Sequence, residues 1–166
     1  MPSIITHKFY KYNNTFILLS YSNIGDFMPI INYNNNDLDL MARLMRAEAE
    51  SEGQLGMLMV GNVGVNRVLA NCLDFKNITS IEQMVFQRPG GFESTLYSYF
   101  YQPARSIDIR LAKRAIKGEK FHPATYSLWF YNAYDDDCKA KWWNQWNSGR
   151  YKSHCFYAPV ESENCY

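Results

Sequence analysis

The chain has 166 residues, which is enough for one compact domain with a sizeable core but too short for two ordinary domains. Apolar residues make up 47% of the chain and charged residues 20%, a balance that argues against wholesale disorder. The formal net charge of +1 gives no reason to expect nucleic acid or acidic lipid as a partner.

Residues 1–36 differ in composition from the rest of the chain. They are rich in Asn, Tyr, Phe and Ile without helical periodicity, and they end in the turn-prone run Asn34 to Asn36. Lysines precede the apolar run TFILLS, but this run is too short for the core of a signal peptide and lacks a small-residue cleavage site. We therefore expect no signal peptide, and no stretch approaches the roughly 20 apolar residues of a membrane span.

The run from Asp37 to Gly53 predicts a helix that carries a glutamate in its apolar stripe. Asp37 is suited to the N-cap or first turn, and Gly53 to the C-cap. Glu48 continues a face formed by residues at three- and four-residue spacing, while Glu50 falls on the opposite face. That apolar face consists of Leu38, Met41, Leu44 and Met45.

The position of Glu48 has two interpretations. A carboxyl group removed from water has a raised pKa, which a general acid working near neutral pH requires, so Glu48 is the leading catalytic candidate. Alternatively, Glu48 only forms an ion pair with Arg43, Arg46 or another cation.

Two further helices are predicted. The segment from Gln54 to Leu73 is apolar and contains glycines at 56, 61 and 64, so it predicts a buried helix that its neighbours approach closely. Its polar residues Asn62, Asn66 and Arg67 either satisfy backbone groups of nearby loops or have another role. The segment from Pro103 to Lys117 predicts a helix with a solvated charged face that Gly118 ends.

Between these helices, residues 79–82 match a capping box and predict a short helix that ends near Phe86. The run from Arg88 to Gly91 must then form a loop that leads into Phe92.

The last quarter of the chain predicts a small sheet. Residues 125–134 and 151–159 are aromatic and β-branched and read as two strands of an antiparallel hairpin, joined by a polar excursion that carries tryptophans. Helices first and a sheet last indicate an α+β domain.

The cysteine and histidine spacing gives little support for a metal site. Cys72, Cys138, Cys155 and Cys165 include no CxxC pair, and the three histidines show no metal-binding spacing. We expect no cofactor. Two disulfides are possible, but free thiols are the default expectation.

Four ordered blocks resemble the SleB/CwlJ-type cell wall hydrolases of endospore-forming bacteria, most closely the CwlJ branch. The blocks are LMARLMRAEAESEGQLGMLMVGNVGVNRV, QMVFQRPGGFES, ATYSLWFYNAY and KSHCFYAP. The resemblance runs from about residue 37 to 159. It implies a lysozyme-like or resuscitation-factor-like helical core with a small antiparallel sheet near the C-terminus. Residues 37–166 would form a single catalytic domain, preceded by an atypical extension over residues 1–36.

The resemblance implies a lytic enzyme that cleaves the glycan strand of spore-cortex peptidoglycan containing muramic-δ-lactam, during germination. The catalytic glutamate of the family maps onto Glu48, which suits a lytic transglycosylase. A hydrolase would need a second carboxylate, for which Glu52 is the candidate, although Glu52 could equally be a surface residue. The residues that could contact substrate are Gln87, Phe92, Ser94, Tyr126, Trp129, Tyr131 and Asn132.

Other implications concern location and rival functions. The resemblance points to the boundary of spore coat and cortex, reached after synthesis in the mother cell, and to a coat protein as partner. Because members of the family usually begin shortly before the first helix, residues 1–27 could be a misassigned start, with Met28 as the family-like one. The rivals are an N-acetylmuramoyl-L-alanine amidase and a non-catalytic coat or glycan-binding module. His154 matches a family block, where we expect a structural hydrogen bond rather than proton transfer.

Overall fold

The computed structural model describes the backbone of residues 6–12 and 15–21, and all atoms of residues 28–166. In the first part, strands β1 (Thr6–Tyr12) and β2 (Thr15–Tyr21) form a two-stranded antiparallel sheet. The helices are α1 (Asn35–Ala49), α2 (Gly53–Leu69), α3 (Ile81–Val85) and α4 (Ser106–Ile116). The remaining strands are β3 (Trp129–Asn132), β4 (Lys141–Trp142), β5 (Gln145–Tyr151) and β6 (His154–Ala158).

A capping box fixes the start of α1. The side chain of Asn34 accepts hydrogen bonds from the backbone N–H groups of Asn36 and Asp37, and the Asp37 carboxylate accepts one from the Asn34 N–H. Asp37 is thus a first-turn acid rather than the N-cap. The predicted apolar face of α1 is confirmed, because Leu38, Met41, Leu44 and Met45 are buried.

The predicted long first helix is divided near its end. The α-helix stops at Ala49, a 3₁₀ turn covers Glu50–Glu52, and α2 begins at Gly53, whose φ of +80° suits glycine. Gly53 therefore separates two helices, and α2 ends four residues earlier than the predicted Leu73.

Close packing of α2 is confirmed at its glycines. A Cβ at Gly61 would lie 2.8 Å from the Cβ of Ala115 and 2.9 Å from the Sδ of Met45. Helices α1, α2, α3 and α4 share one apolar core, which contains Met41, Met45 and Ala115.

Two other helix boundaries differ from the predicted ones. The N-cap of α3 is Ser80, which accepts from the N–H of Gln83, so the cap lies one residue later than the predicted box. Helix α4 begins at Ser106 rather than at Pro103. The carbonyls of Gln102 and Pro103 accept hydrogen bonds from the Arg46 guanidinium instead of from a helix. The Asp108 carboxylate accepts a hydrogen bond from the N–H of Arg105, just before the helix starts.

The C-terminal strands form one antiparallel sheet in the order β3-β6-β5-β4. The predicted pairing of its first and last strands is confirmed, but the polar excursion between them holds two further strands, β4 and β5. Phe156 of β6 packs on Met59 and Val63 of α2, so the sheet lies against the helical core. The α+β fold class is confirmed.

The expectation of free thiols is wrong. Disulfides join Cys72 to Cys165 and Cys138 to Cys155, which leaves no free cysteine among the residues with described side chains. The partners are 93 and 17 positions apart in sequence, so spacing alone could not pair them.

Candidate active site

A cleft of about 600 Å³ lies between the end of α1, the loop after α3 and the C-terminal sheet. This volume falls within the range of ligand-binding clefts. Its lining comprises Ala47, Glu48, Arg67, Gly91, Phe92, Glu93, Ser94, Tyr97, Phe130, Tyr131, Asn132, Tyr134, Trp142 and His154.

Glu48 lies in this cleft as a partly buried carboxyl group. Its Oε1 accepts a hydrogen bond of 3.1 Å from the backbone N–H of Ser94. Burial raises the pKa of Glu48 above its ordinary value, and the nearby charge of Glu93 raises it further. Contacts with Ser94 and the positive charge of Arg67 offset part of the rise. The cleft therefore favours the protonated form of this carboxyl group more than water does.

The alternative interpretation, that Glu48 is an ion-pair partner of Arg43 or Arg46, is wrong. Arg43 pairs with Asp39 at 2.8 Å, one turn earlier on α1. Arg46 is buried, donates to backbone carbonyls at residues 99–103 and lies 3.6 Å from Asp108. Glu50 is not part of the cleft lining and pairs with Arg105, in agreement with its predicted position on the other face.

Arg67 forms part of the cleft wall, a position that the sequence did not reveal. Its Nε donates to the Leu128 carbonyl at 2.8 Å, and its Nη1 to the Gly90 carbonyl at 3.2 Å. The guanidinium lies 4.4 Å from the ring centroid of Phe92. Burial lowers the pKa of Arg67 to about 10, so the group stays charged at neutral pH. Arg67 thus holds the loop at residues 90–92 and places a cation near Glu48.

The other polar residues of α2 have structural roles. Asn62 and Asn66 bind the segment at residues 119–128, where Asn66 donates to the carbonyls of Ala124 and Ser127 and accepts from the Lys120 ammonium. The expectation that they satisfy loop backbone groups is confirmed.

Glu52 is buried and committed to another contact. The hydroxyl and the N–H of Ser153 both donate to its carboxylate, and Lys152 donates to its carbonyl. Because the 3₁₀ turn breaks the helix, the helical spacing that would place Glu52 beside Glu48 does not apply. The cleft lining contains Glu93 instead, an exposed carboxylate that accepts a 2.8 Å hydrogen bond from the Tyr97 hydroxyl. Glu52 is therefore a buried residue and not a surface residue. No pattern in the sequence pointed to Glu93.

The predicted substrate-contacting residues divide into two groups. Phe92, Ser94, Tyr131 and Asn132 line the cleft with Glu48. The lining does not include Gln87, Tyr126 or Trp129. Their contacts lie elsewhere.

Gln87 lines a separate groove of about 680 Å³ beside α3, where it donates to the Asp74 carbonyl. Tyr126 packs against Tyr166, and Trp129 packs against Phe75.

His154 lines the cleft and is almost completely buried. Its Nδ1 has no hydrogen-bond partner among residues 28–166, so the expected structural bond is not made by this atom. Burial lowers the pKa of His154, which favours the neutral imidazole.

The fold resembles two solved catalytic domains. The catalytic domain of the Bacillus cereus SleB protein matches with a TM-score of 0.61 and 24% identity, covering 76% of this chain and 92% of that chain. The catalytic domain of germination-specific lytic transglycosylase SleB from Bacillus anthracis has the same TM-score at 21% identity and covers 76% and 97%. The expected lysozyme-like fold class is thus confirmed.

Sequence comparison identifies the family. The Cell Wall Hydrolase family model matches residues 51–157. Cell wall hydrolase CwlJ of Oceanobacillus iheyensis is 57% identical over 136 residues, covering 82% of this chain and 96% of that protein. The Bacillus subtilis protein of the same name is 51% identical over 138 residues, covering 83% and 95%.

The chain therefore belongs to the cell wall hydrolase family and is an enzyme that acts on peptidoglycan. The family match begins three residues after Glu48, so the assignment of this residue rests on the cleft geometry.

No helix among the described residues is long and apolar enough to cross a membrane. Within the same part of the chain, no three His, Cys, Asp or Glu side chains are grouped as they would be around a metal ion.

Proposed function

We propose that the protein cleaves the glycan strand of peptidoglycan as a lytic transglycosylase, with Glu48 as its acid and base. The observation that carries the proposal is a partly buried carboxyl group in the cleft lining, and this burial raises its pKa. A carboxyl group with a raised pKa keeps its proton to higher pH than an exposed glutamate does, and it can donate that proton to the substrate as a general acid.

The reaction needs one carboxyl group in two roles. Protonated Glu48 donates its proton to the glycosidic oxygen as the bond from that oxygen to the muramoyl C1 breaks. The Glu48 carboxylate then removes the proton from the muramoyl 6-hydroxyl as that oxygen bonds to C1. The products are a 1,6-anhydro-muramoyl end and a free hydroxyl on the departing sugar, and no water is consumed.

Other groups in the cleft support these two roles. The N–H of Ser94 fixes one oxygen of Glu48, and the positive charge of Arg67 favours its carboxylate form after proton donation. Tyr131 and Asn132 offer an aromatic face and an amide group to a sugar chain, and Phe92 lines the cleft beside them with its ring under the Arg67 guanidinium. We propose that these residues contact the substrate. We also propose that the Glu93 carboxylate stabilises the positive charge that develops near C1.

The biological substrate that we propose is the spore cortex, at strands that contain muramic-δ-lactam, during germination. Two relatives at 51% and 57% identity carry the name CwlJ, and the Bacillus anthracis structure of similar fold is described as germination-specific. We further propose synthesis in the mother cell without a signal peptide and retention at the boundary of coat and cortex by a coat protein. Imaging of a fluorescent fusion during sporulation tests this location.

Mass spectrometry of released fragments tests the chemistry. Purified wild type and Glu48→Gln are incubated with decoated-spore cortex, and Glu161→Gln, an exposed glutamate outside the cleft lining, serves as the control. We expect muropeptides one water lighter than hydrolysed fragments from wild type and control. Loss of general acid catalysis should reduce the rate with Glu48→Gln about 10²–10⁴-fold.

Each other outcome supports a different function. Reducing-end fragments in place of anhydro fragments would identify a hydrolase, for which the second carboxylate in the cleft is Glu93. Released peptides with a free L-alanine terminus would identify the amidase. Normal binding of cortex without any fragment from wild type would favour the non-catalytic module.

A further inference from the structure

Two adjacent tryptophans extend one wall of the cleft. Trp142 lines the cleft, and the ring of Trp143 stacks on it with centroids 4.7 Å apart and an interplanar angle of 18°. Trp143 is 71% exposed, so its ring lies largely in solvent next to the cleft. Large exposed aromatic side chains that continue a cleft are typical of ligand contacts rather than of a core.

The base of this pair is rigid. Trp142 packs against Tyr131 at 5.0 Å and against Tyr157 at 5.6 Å, and the two tyrosine rings stack on each other. Tyr157 is fully buried and donates to the Lys139 carbonyl at 2.8 Å. The disulfide from Cys138 to Cys155 closes the same cluster. A platform held in this way loses little freedom when it binds a ligand.

The backbone at Trp143 is unfavourable for its residue type. Trp143 and Asn144 form the two-residue turn between β4 and β5, with φ values of +48° and +67°. A turn with two positive φ values favours Asn and Gly, and tryptophan is disfavoured there. Strained backbone positions of this kind occur at functional sites, where the role of the side chain outweighs the conformational energy that the strained backbone costs.

We infer that Trp142 and Trp143 form a second saccharide subsite, here called the tryptophan platform, which binds a sugar ring of the glycan strand beyond those held beside Glu48. This inference rests on the proposed function, because it takes the occupant of the cleft to be a glycan strand. The apolar face of a pyranose ring stacks on an indole ring, and the strand is long enough to continue from the cleft onto the platform. The platform would make the enzyme favour long strands over short fragments.

Binding of fragments of two lengths tests this inference. Cortex glycan strands are fractionated into tetrasaccharides and chains of eight or more sugars, and their affinities are measured by calorimetry. All proteins carry Glu48→Gln, so that the strands stay intact. The test variant adds Trp143→Gly, which removes the ring and suits the positive φ. The control adds Trp146→Ala, which removes a tryptophan that is 55% exposed on the same hairpin and is not part of the cleft lining.

We expect Trp143→Gly to weaken binding of the long chains about tenfold and to leave tetrasaccharide binding unchanged, with a melting temperature no lower than that of the parent. Trp146→Ala should leave both affinities unchanged. Equal affinity of the Trp143→Gly variant and its parent for long chains overturns the platform, as does an equal loss for both lengths. If the parent binds neither fragment while the wild type also releases no product from cortex, the proposed function fails and the platform with it.

Discussion

The environment of Glu48 determines both its chemistry and its cost to stability. An acid whose pKa is raised in the folded state binds its proton more tightly there than in the unfolded chain. The stability that protonated Glu48 contributes is fully present below the pKa that the group has in the unfolded chain. It is lost as pH rises through the pKa that the group has in the folded protein. Near neutral pH, where this carboxyl group is ionised in the unfolded chain, Glu48 therefore makes the native protein less stable than a neutral side chain of the same shape would.

Glu48→Gln should consequently stabilise the protein while it lowers the rate of the reaction. We expect the variant to melt at a higher temperature than wild type at about pH 7 and at the same temperature at about pH 4, since glutamine does not titrate. Thermal melts across this pH range check the result. Equal melting temperatures throughout would mean that Glu48 is not desolvated in solution.

Glu93 adjusts the acidity of Glu48 from across the cleft. Its negative charge raises the pKa of Glu48, so Glu93→Gln should lower that pKa. A reaction that needs protonated Glu48 becomes slower as pH rises through the pKa of Glu48. In the Glu93→Gln variant this decrease should therefore begin at a lower pH than in wild type. We expect the product to remain the anhydro sugar, with a rate reduced less than tenfold at the optimum. A change from anhydro to reducing-end product, or an unshifted profile, would contradict this role.

At the scale of elements, helix α2 depends on close contact with its neighbours. A Cβ at Gly61 would approach the rigid Cβ of Ala115 to 2.8 Å, whereas one at Gly64 would meet the flexible ends of Met84 and Met41 at 3.0–3.1 Å. Alanine gains about 1 kcal/mol in helix propensity over glycine at either position.

Gly61→Ala should therefore destabilise the protein by about 1–2 kcal/mol after this gain, because overpacking against rigid atoms is costly. Gly64→Ala is the matched control and should be near neutral, since methionine ends can move. Urea unfolding of the two variants gives the comparison. The reverse order would contradict the packing described between α2 and α4.

The sequence predicted the elements whose pattern is local. The apolar face of α1 and the glycines of α2 were sufficient to predict these two helices. The aromatic and β-branched runs near the C-terminus were sufficient to predict the first and last strands of the C-terminal sheet. Strands β4 and β5 were missed because polar and glycine residues at 141–151 resemble a loop, and the pairing that makes them strands is not local. The break at Glu50–Glu52 was missed because the contact of Glu52 with Ser153 that accompanies it joins residues about a hundred positions apart in sequence.

The site was predictable where helix periodicity applies and not where loops converge. The position of Glu48 on α1 followed from its spacing. Glu93 and Arg67 reach the cleft through the loop after α3 and through contacts with carbonyl groups, which no spacing encodes. Gln87 lies only a few residues before the cleft loop, yet it lines a different groove.

At the scale of the whole molecule, the core that the structure describes is formed by residues after position 27. Its buried apolar side chains run from Ile31 to Cys165, and the N–H of Ile30 donates to the Ile116 carbonyl at the end of α4. We keep the proposal that residues 1–27 are an alternative or misassigned start. Of these, residues 1–5, 13–14 and 22–27 lie outside the described part of the chain.

Deletion of residues 1–27, so that translation begins at Met28, should leave a folded enzyme. We expect soluble protein with unchanged helical circular dichroism and a melting temperature within about 2 °C of the full chain, a shift that corresponds to less than about 1 kcal/mol. The rate of cortex lysis should also be unchanged. Insoluble protein or loss of helical signal would refute the proposal.

The disulfide from Cys72 to Cys165 encloses most of the chain in a covalent ring. Helices α3 and α4, the cleft loop and all four strands of the C-terminal sheet lie between its two ends. A protease that hydrolyses one peptide bond anywhere between these cysteines opens the ring but does not divide the molecule. Nicked protein therefore keeps Glu48 and the sheet wall in one covalent piece, and it separates into two fragments only after a thiol reductant is added.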